Sequence, residues 1–323
     1  MVCMKMILMG TGTSHGVPVI GCDCKVCRST HKEDRRYRCS AYVENESNTN
    51  ADLSGKLFPT TNIVIDTGPE FRIQCIENHL TRLDGVLITH SHADHCHGLD
   101  DLRVFSHTRP DMSKSSADFT LPQNQNYPLE TKGPGLPIYA SSNTVEDLLF
   151  RFAYVLRRTE LGGGLPKLNM IACDDFNDEN PIKIGSAIVI PVPMMHGSMR
   201  TTGWILKNQA EHSILYLTDC NFIPDSSIKL IQKSAGKIDH LVIDWLREVP
   251  HPTHCSFREA LAYAERIGAG HTWLTHLCHD KSHVEVQKYI DDNLKDFPRL
   301  EEIVKKGGNV SPAYDGLVLY TAE

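Results

Sequence analysis

Residues 86–99 read VLITHSHADHCHGL, and His90, His92, Asp94, His95 and His97 stand within eight positions of one another. Imidazoles and a carboxylate crowded this closely are donors for a cation such as zinc, manganese or iron, and need no thiolate beside them. On an extended strand end His90 and His92, two apart, point to one side. Asp94 and His95 follow where a helix would begin, turned toward the same space. A polar loop that merely happens to be rich in histidine is the bland alternative. The cluster, however, comes directly after an apolar, strand-like run.

One cluster does not complete two coordination spheres, so distant ligands are needed. His196 follows IPVPM, Asp219 ends SILYLTD and His276 ends TWLTH. Each stands at the carboxyl end of an apolar run, where a side chain reaches an open sheet edge. Singly, each is an ordinary turn residue; as a set they read as the missing ligands. A second cluster lies in GCDCKVCR, residues 21–28, where Cys22, Cys24 and Cys27 form C-x-C-x₂-C. Three thiolates converging on zinc need a fourth ligand. THLCHD offers His279 or Cys278, since His276 is already in use.

These residues need a scaffold that delivers strand ends to one edge. Strand-like runs recur at MKMILMG, CSAYVE (39–44), TNIVIDTG (61–68), DGVLITH (84–90), PIYAS (137–141) and AIVIPVPM (187–194). They continue at GWIL (203–206), SILYLTD (213–219), HLVIDWL (240–246) and TWLTH (272–276). Helical patterns fall between them at 145–158, 226–235, 256–268 and 284–297. Ser256 with Glu259 forms a capping box, and Gly268 with Gly270 marks the stop. Strands and helices mixed along one chain predict a single layered domain over 1–323. The polar stretches 45–60 and 108–135 read as loop insertions, the first as a long hairpin and the second as a surface insertion or a lid over the site.

At 323 residues the chain is long enough for a substantial core; 41% hydrophobic and 23% charged residues are ordinary for a globular protein. A net charge of −7 argues against a general nucleic-acid binder, although EDRRYR (33–38) could form a local basic patch. No segment approaches a membrane span, and the apolar run near the start is too short for a signal sequence. Eleven irregularly spaced cysteines predict reduced thiols, hence a cytoplasmic protein whose clustered cysteines bind metal.

T-H-S-H-A-D-H, followed in order by His196, Asp219 and His276, resembles the metallo-β-lactamase superfamily. The resemblance implies an α+β fold, a four-layer αβ/βα sandwich, with two divalent metals (manganese or zinc) at the top edge of paired sheets. Carried over by motif position, His90, His92 and His196 would hold one metal and Asp94, His95 and His276 the other, with Asp219 bridging. Two adjacent cations lower the pKa of water to about 7 and neutralise charge on a phosphodiester in the transition state.

G-T-G-T-S-H-G-V-P at 10–18, then C-D-C-K-V-C and T-H-L-C-H, narrows the resemblance to the phosphoribosyl cyclic phosphodiesterase subgroup. It implies one structural zinc on Cys22, Cys24, Cys27 and His279, and it favours manganese in the catalytic pair. It also implies a histidine general acid, here His254 in P-T-H-C-S-F-R-E with His251 as its nearest rival; His254 and Asp94 are the expected catalytic residues. The expected function is hydrolysis of a small or cyclic phosphodiester, with a homodimer implied by the resemblance only. The insertions separate the chain from the compact members, so the ribose cyclic phosphate does not carry over with the metal sites. A tRNA 3′-end endonuclease, a thioester hydrolase and a non-catalytic carrier in cofactor biosynthesis are the alternatives. Asp66 and Asp244, each ending a strand, are either simple turn residues or acceptors that orient a ligating histidine.

Overall fold

The computed structural model describes residues 3–46, 60–108, 135–156 and 167–322. The described strands form two seven-stranded sheets. The first contains β1 (Met4–Gly10), β2 (Ser40–Glu46), β3 (Thr60–Ile65), β4 (Gly85–Leu87), β5 (Leu136–Ala140) and β6 (Leu168–Ala172). The second contains β7 (Ile182–Ile184), β8 (Ala187–His196), β9 (Met199–Lys207), β10 (His212–Leu217), β11 (Lys237–Asp244), β12 (His271–Thr275) and β13 (Asn309–Pro312). The last strand, β14 (Leu317–Tyr320), returns to the first sheet, giving the orders β14-β1-β2-β3-β4-β5-β6 and β13-β12-β11-β10-β9-β8-β7.

Alternation along the strands divides the apolar residues between two faces. Met4, Met6 and Leu8 of β1 face inward with Val43, Ile63 and Ile65, and meet Val189, Trp204, Leu206, Ile214 and Tyr216 of the second sheet. The residues between them, Ile7 and Met9, face outward with Val64 and Val86 to pack on Phe71, Leu102, Phe105 and Leu148. The outer face of the second sheet, through Val192, Leu215, Leu241, Ile243 and Leu274, buries Ile228, Ile231, Leu261, Ala264 and Ile290 from helices. The result is helix, sheet, sheet, helix: the expected four-layer sandwich. Strands covered on both faces read as nearly continuous apolar runs.

β3, β4, β5 and β6 run parallel, and β1 shares their direction through the antiparallel intermediary β2. In the other sheet β10, β11 and β12 are parallel, and β8 joins them through β9. The carboxyl ends of these strands therefore lie at one edge. The helix Phe257–Ile267 is held by the reciprocal Ser256–Glu259 capping box and stops at Gly268 with φ 74°, where a side chain would be strained.

Several elements differ from the expectation. β9 starts at Met199, since the polar MRTT continues the pairing with β8 as far as His196↔Met199. The helix expected over 145–158 starts at Ser142, capped by Ser141, and breaks at Phe152 before a short Ala153–Leu156 turn; 157–158 lie outside the described residues. β2 and β3 pair from Glu46↔Thr60, the ladder of a hairpin, but most of the insertion at 45–60 lies outside the described residues, as does most of 108–135. Among the described residues no helix is long and apolar enough to cross a membrane.

Candidate metal centre and active site

The shared edge gathers the residues that the sequence scatters. β4 ends at Leu87 and the chain runs extended to His90 and on to His92, the cap of the short helix Ala93–Cys96, which carries Asp94 and His95. β8 ends on His196 and β11 on Asp244. Asp219 follows β10 by two residues, and His276 follows β12 directly. Close main-chain packing seats the short helix. A Cβ on Gly68 would lie 2.3 Å from the carbonyl oxygen of Asp94, and one on Gly98 would lie 2.2 Å from that of Gly68.

Three groups of donor atoms form, each within 4.8 Å: His90, His92 and His196; Asp94, His95, Asp219 and His276; and Asp219, Asp244, His254 and His276. Asp219 Oδ2 is 3.1 Å from Nε2 of both His95 and His276 and 3.9 Å from Nε2 of His90, so it stands between the first two groups. Asp94 Oδ2 is 3.2 Å from His95 Nε2 and 3.9 Å from His276 Nε2. His97 belongs to none of these groups; its ring packs on Phe152.

The histidines are held in one tautomer by fixed acceptors. His95 Nδ1 donates to Asp66 Oδ2 at 2.7 Å and His196 Nδ1 to the Thr253 carbonyl at 2.7 Å. Thr89 Oγ1 donates to Asp66 at 2.9 Å, which leaves it to accept from His90 Nδ1 at 3.0 Å. Each ring is thereby aimed with Nε2, the atom that would ligate a cation, toward Asp219 or its neighbours. Burial keeps His90 well below the usual imidazole range and lowers His196 to about 4, so both are neutral donors. Burial also opposes charge on His276, but Asp219 and Asp94 outweigh it and raise the group to about 10. For Asp94, burial is outweighed by His95 and His276, which hold the carboxyl well below its ordinary range.

These residues fit a pair of cations. Nε2 of His90 and both ring nitrogens of His276 are buried without a hydrogen-bond partner. Such groups are costly unless something satisfies them. A cation would engage Nε2 of His90 and, in place of its proton, Nε2 of His276, and would balance the buried carboxylates Asp94 and Asp219.

His254 is buried at the same edge, its ring stacked on His276 with centroids 4.3 Å apart. Its Nδ1 donates to Asp244 Oδ2 at 2.8 Å, while Asp244 also accepts from the backbone N–H of Cys255 at 3.1 Å and of Cys220 at 3.3 Å. Both strand-end aspartates thus orient a histidine, Asp66 a ligand candidate and Asp244 the acid candidate. A cleft of about 470 Å³ opens at this edge, lined by Thr13, Ser14 and His15 together with Arg247, His251 and Thr253. The glycine-rich G-T-G-T-S-H-G is thus a turn that forms a wall of the cleft.

The cysteine cluster closes with His279. Its Nδ1 lies 3.4 Å from each Sγ of Cys22, Cys24 and Cys27. These are the edges of a tetrahedron around an ion bound at ~2.3 Å to sulfur and ~2.0 Å to nitrogen. The backbone N–H of Cys27 donates to Cys24 Sγ and lowers that thiol to about 6, a thiolate at neutral pH. Cys278, the rival fourth ligand, is outside this group and lines the cleft. No disulfide joins the eleven cysteines.

Thr89 and Thr253 escaped the sequence reading. A threonine before a histidine is an unremarkable dipeptide, and Thr253 acts through its carbonyl, which leaves no mark on residue type.

A family model for the β-lactamase superfamily domain matches residues 61–277. An octanoyltransferase of Porphyromonas gingivalis is 30% identical over 288 residues, covering 88% of this chain and 48% of that protein. The chain spans about half the length of that relative. A crystal structure of a diphosphatase from the PhnP family shares 30% identity, with a TM-score of 0.71 over 99% of this chain and 98% of the other. Zn(2+)-bound PqqB from Methylobacterium extorquens is similar in fold, at 16% identity and a TM-score of 0.62 over 98% of this chain and 99% of that one. So is the short form of human tRNase Z, at 16% identity and 0.54 over 98% of each chain. The matched span and the near-complete overlap with the 30%-identical structure establish that the chain belongs to the metallo-β-lactamase superfamily, on its PhnP-like side.

Proposed function

We propose that the chain is a binuclear metal-dependent hydrolase acting on a small or cyclic phosphodiester. One observation carries the reading: seven donor residues and the His254–Asp244 pair converge on one edge, with Asp219 between the two ligand groups. His90, His92 and His196 would hold one cation and Asp94, His95 and His276 the other, shared through Asp219. When bound, such a pair activates water at neutral pH and offsets charge on phosphorus. The chain's own residues do the rest. Asp66, Thr89 and the Thr253 carbonyl keep the imidazoles in the ligating tautomer. His254 gives a proton from Nε2 to the departing oxygen, and Asp244 fixes the ring and balances its charge. Cys22, Cys24, Cys27 and His279 would hold a structural zinc.

The name of the 30%-identical diphosphatase supports phosphorus chemistry. The likeness to an octanoyltransferase favours a second reading, hydrolysis of an acyl thioester by the same centre. Both are tested together by re-supplying metal-stripped protein with manganese or zinc and assaying bis-p-nitrophenyl phosphate beside an octanoyl thioester. The expected result is metal-dependent diester cleavage that Asp219→Ala abolishes along with part of the bound metal. Thioester cleavage alone would replace the reading with the second one. Turnover and metal content undisturbed in Asp219→Ala would refute the bridge.

A further inference from the structure

The loop that carries His254 places a second imidazole, His251, on the cleft wall three residues earlier. This loop is seated closely against the end of β8. The Thr253 carbonyl accepts from His196 Nδ1, and a Cβ on Gly197 would lie 3.0 Å from Thr253 Cγ2. The rings of His276, His254 and His251 follow one another with centroids 4.3 and 5.4 Å apart. They grow more exposed in that order, so His251 stands one step farther out than the acid candidate.

His251 Nδ1 accepts from the backbone N–H of Thr253 at 3.4 Å and lies 3.1 Å from the hydroxyl of the same residue. A backbone N–H only donates, so Nδ1 is the bare nitrogen and Nε2 carries the proton. The two neighbouring histidines therefore differ in kind. His254 Nδ1 faces the carboxylate of Asp244, which favours an imidazolium, whereas His251 Nδ1 faces an N–H, which opposes one. His254 is built to release a proton and His251 to keep one in a hydrogen bond. A neutral N–H on the cleft wall suits an uncharged oxygen, and its place beside the acid puts that oxygen on the departing half of a substrate. Resting on the phosphodiester reading above, we propose that His251 Nε2 donates to an uncharged oxygen, a hydroxyl or a carbonyl, that neighbours the departing oxygen in the leaving half. The hydrolysis is otherwise unchanged: an oxygen–phosphorus bond forms with water, the bond to the departing oxygen breaks, and His254 supplies the proton. His251 transfers nothing; it is a specificity-determining residue that selects leaving groups with a second oxygen over plain alkyl ones.

The test compares the 1,2-cyclic phosphates of glycerol and of propane-1,2-diol, which differ by one hydroxyl, in manganese-loaded wild type, His251→Asn and His251→Gln. Asn keeps an acceptor where Nδ1 stands, so the local turn onto Thr253 survives while the outer donor is lost. Gln does the reverse, reaching the place of Nε2 with its amide. The expected result is that wild type prefers the glycerol compound in kcat/KM by roughly threefold to tenfold, the range of one neutral hydrogen bond. His251→Asn should abolish that preference with the propanediol compound turned over as before, and His251→Gln should slow both substrates yet keep part of the preference. No preference in wild type, or a preference kept in His251→Asn, would overturn the assignment and reduce His251 to a support of its own loop. If neither compound is cleaved the hydrolase reading falls. Calorimetric titration with glycerol 1-phosphate and propane-1,2-diol 1-phosphate then decides the role of His251 separately: tighter binding of the first that His251→Asn removes upholds it, and equal binding or none in wild type overturns it.

Discussion

Asp244→Asn keeps the shape of the side chain beneath His254 and removes its charge. Asp244 is fully buried, and its two oxygens accept from His254 Nδ1, Cys255 N and Cys220 N. An amide has one oxygen. If that oxygen faces His254, the new NH₂ confronts the N–H of Cys255; if it faces Cys255, the NH₂ confronts His254 and Cys220. Either way a buried donor loses its acceptor, which costs about 1–3 kcal/mol of stability. The imidazolium that must form for proton donation also loses its counter-charge, and a general acid contributes about 10²–10⁴ in rate. The assay is a pair of diesters. A ribose 2′,3′-cyclic phosphate expels an alkoxide that needs the proton, whereas bis-p-nitrophenyl phosphate expels a stable phenolate that hardly does. Asp244→Asn should therefore slow the cyclic substrate by about 10²–10⁴ and the aryl diester by less than about tenfold, with urea unfolding reporting the stability loss. Equal slowing of both substrates would sink the reasoning, since it would make Asp244 a support of the whole edge and not of the acid.

Two further outcomes follow from residues outside the cleft. Cys22→Ser should release one tightly held zinc per chain and lower unfolding free energy by more than ~2 kcal/mol, because metal binding to such a site is folding energy; metal analysis and urea titration read both. Burial raises Asp315 to about 7, so the folded chain keeps a proton that the unfolded chain surrenders near pH 4. The stability this provides is fully present below about pH 4 and declines by on the order of 4 kcal/mol as pH rises to 7. Asp315→Asn should flatten that decline, since its oxygen can face Tyr37 N while its NH₂ faces the Thr11 hydroxyl; an unaltered slope in urea unfolding between pH 4 and 7 would count against it.

The strands that deliver the site were legible because burial on both faces writes them as long apolar runs, as in ILMG, NIVI, SILYL and LVID. The donor residues were legible because imidazole, carboxylate and thiolate at strand ends are expensive to place without a purpose. What stayed hidden has a common cause. β6, β7, β13 and β14 are three to five residues long, and the helices Phe71–Glu77, Arg103–Thr108 and Pro298–Lys305 run for barely two turns. Tertiary packing decides such short elements, leaving little periodicity to read.

β14 pairs antiparallel with β1 through Lys5↔Tyr320, and Thr321 donates its N–H to the carbonyl of Met4. Because β1 runs toward the cleft, both of these chain ends emerge together at the opposite edge of the sandwich. A domain tethered at either end would hang from the same corner, away from the entrance. Doubling the length of such a protein, as in the octanoyltransferase relative, therefore need not obstruct the centre. The same corner is where an affinity tag or a surface linker belongs, and where the two ends can be spliced to open the chain elsewhere.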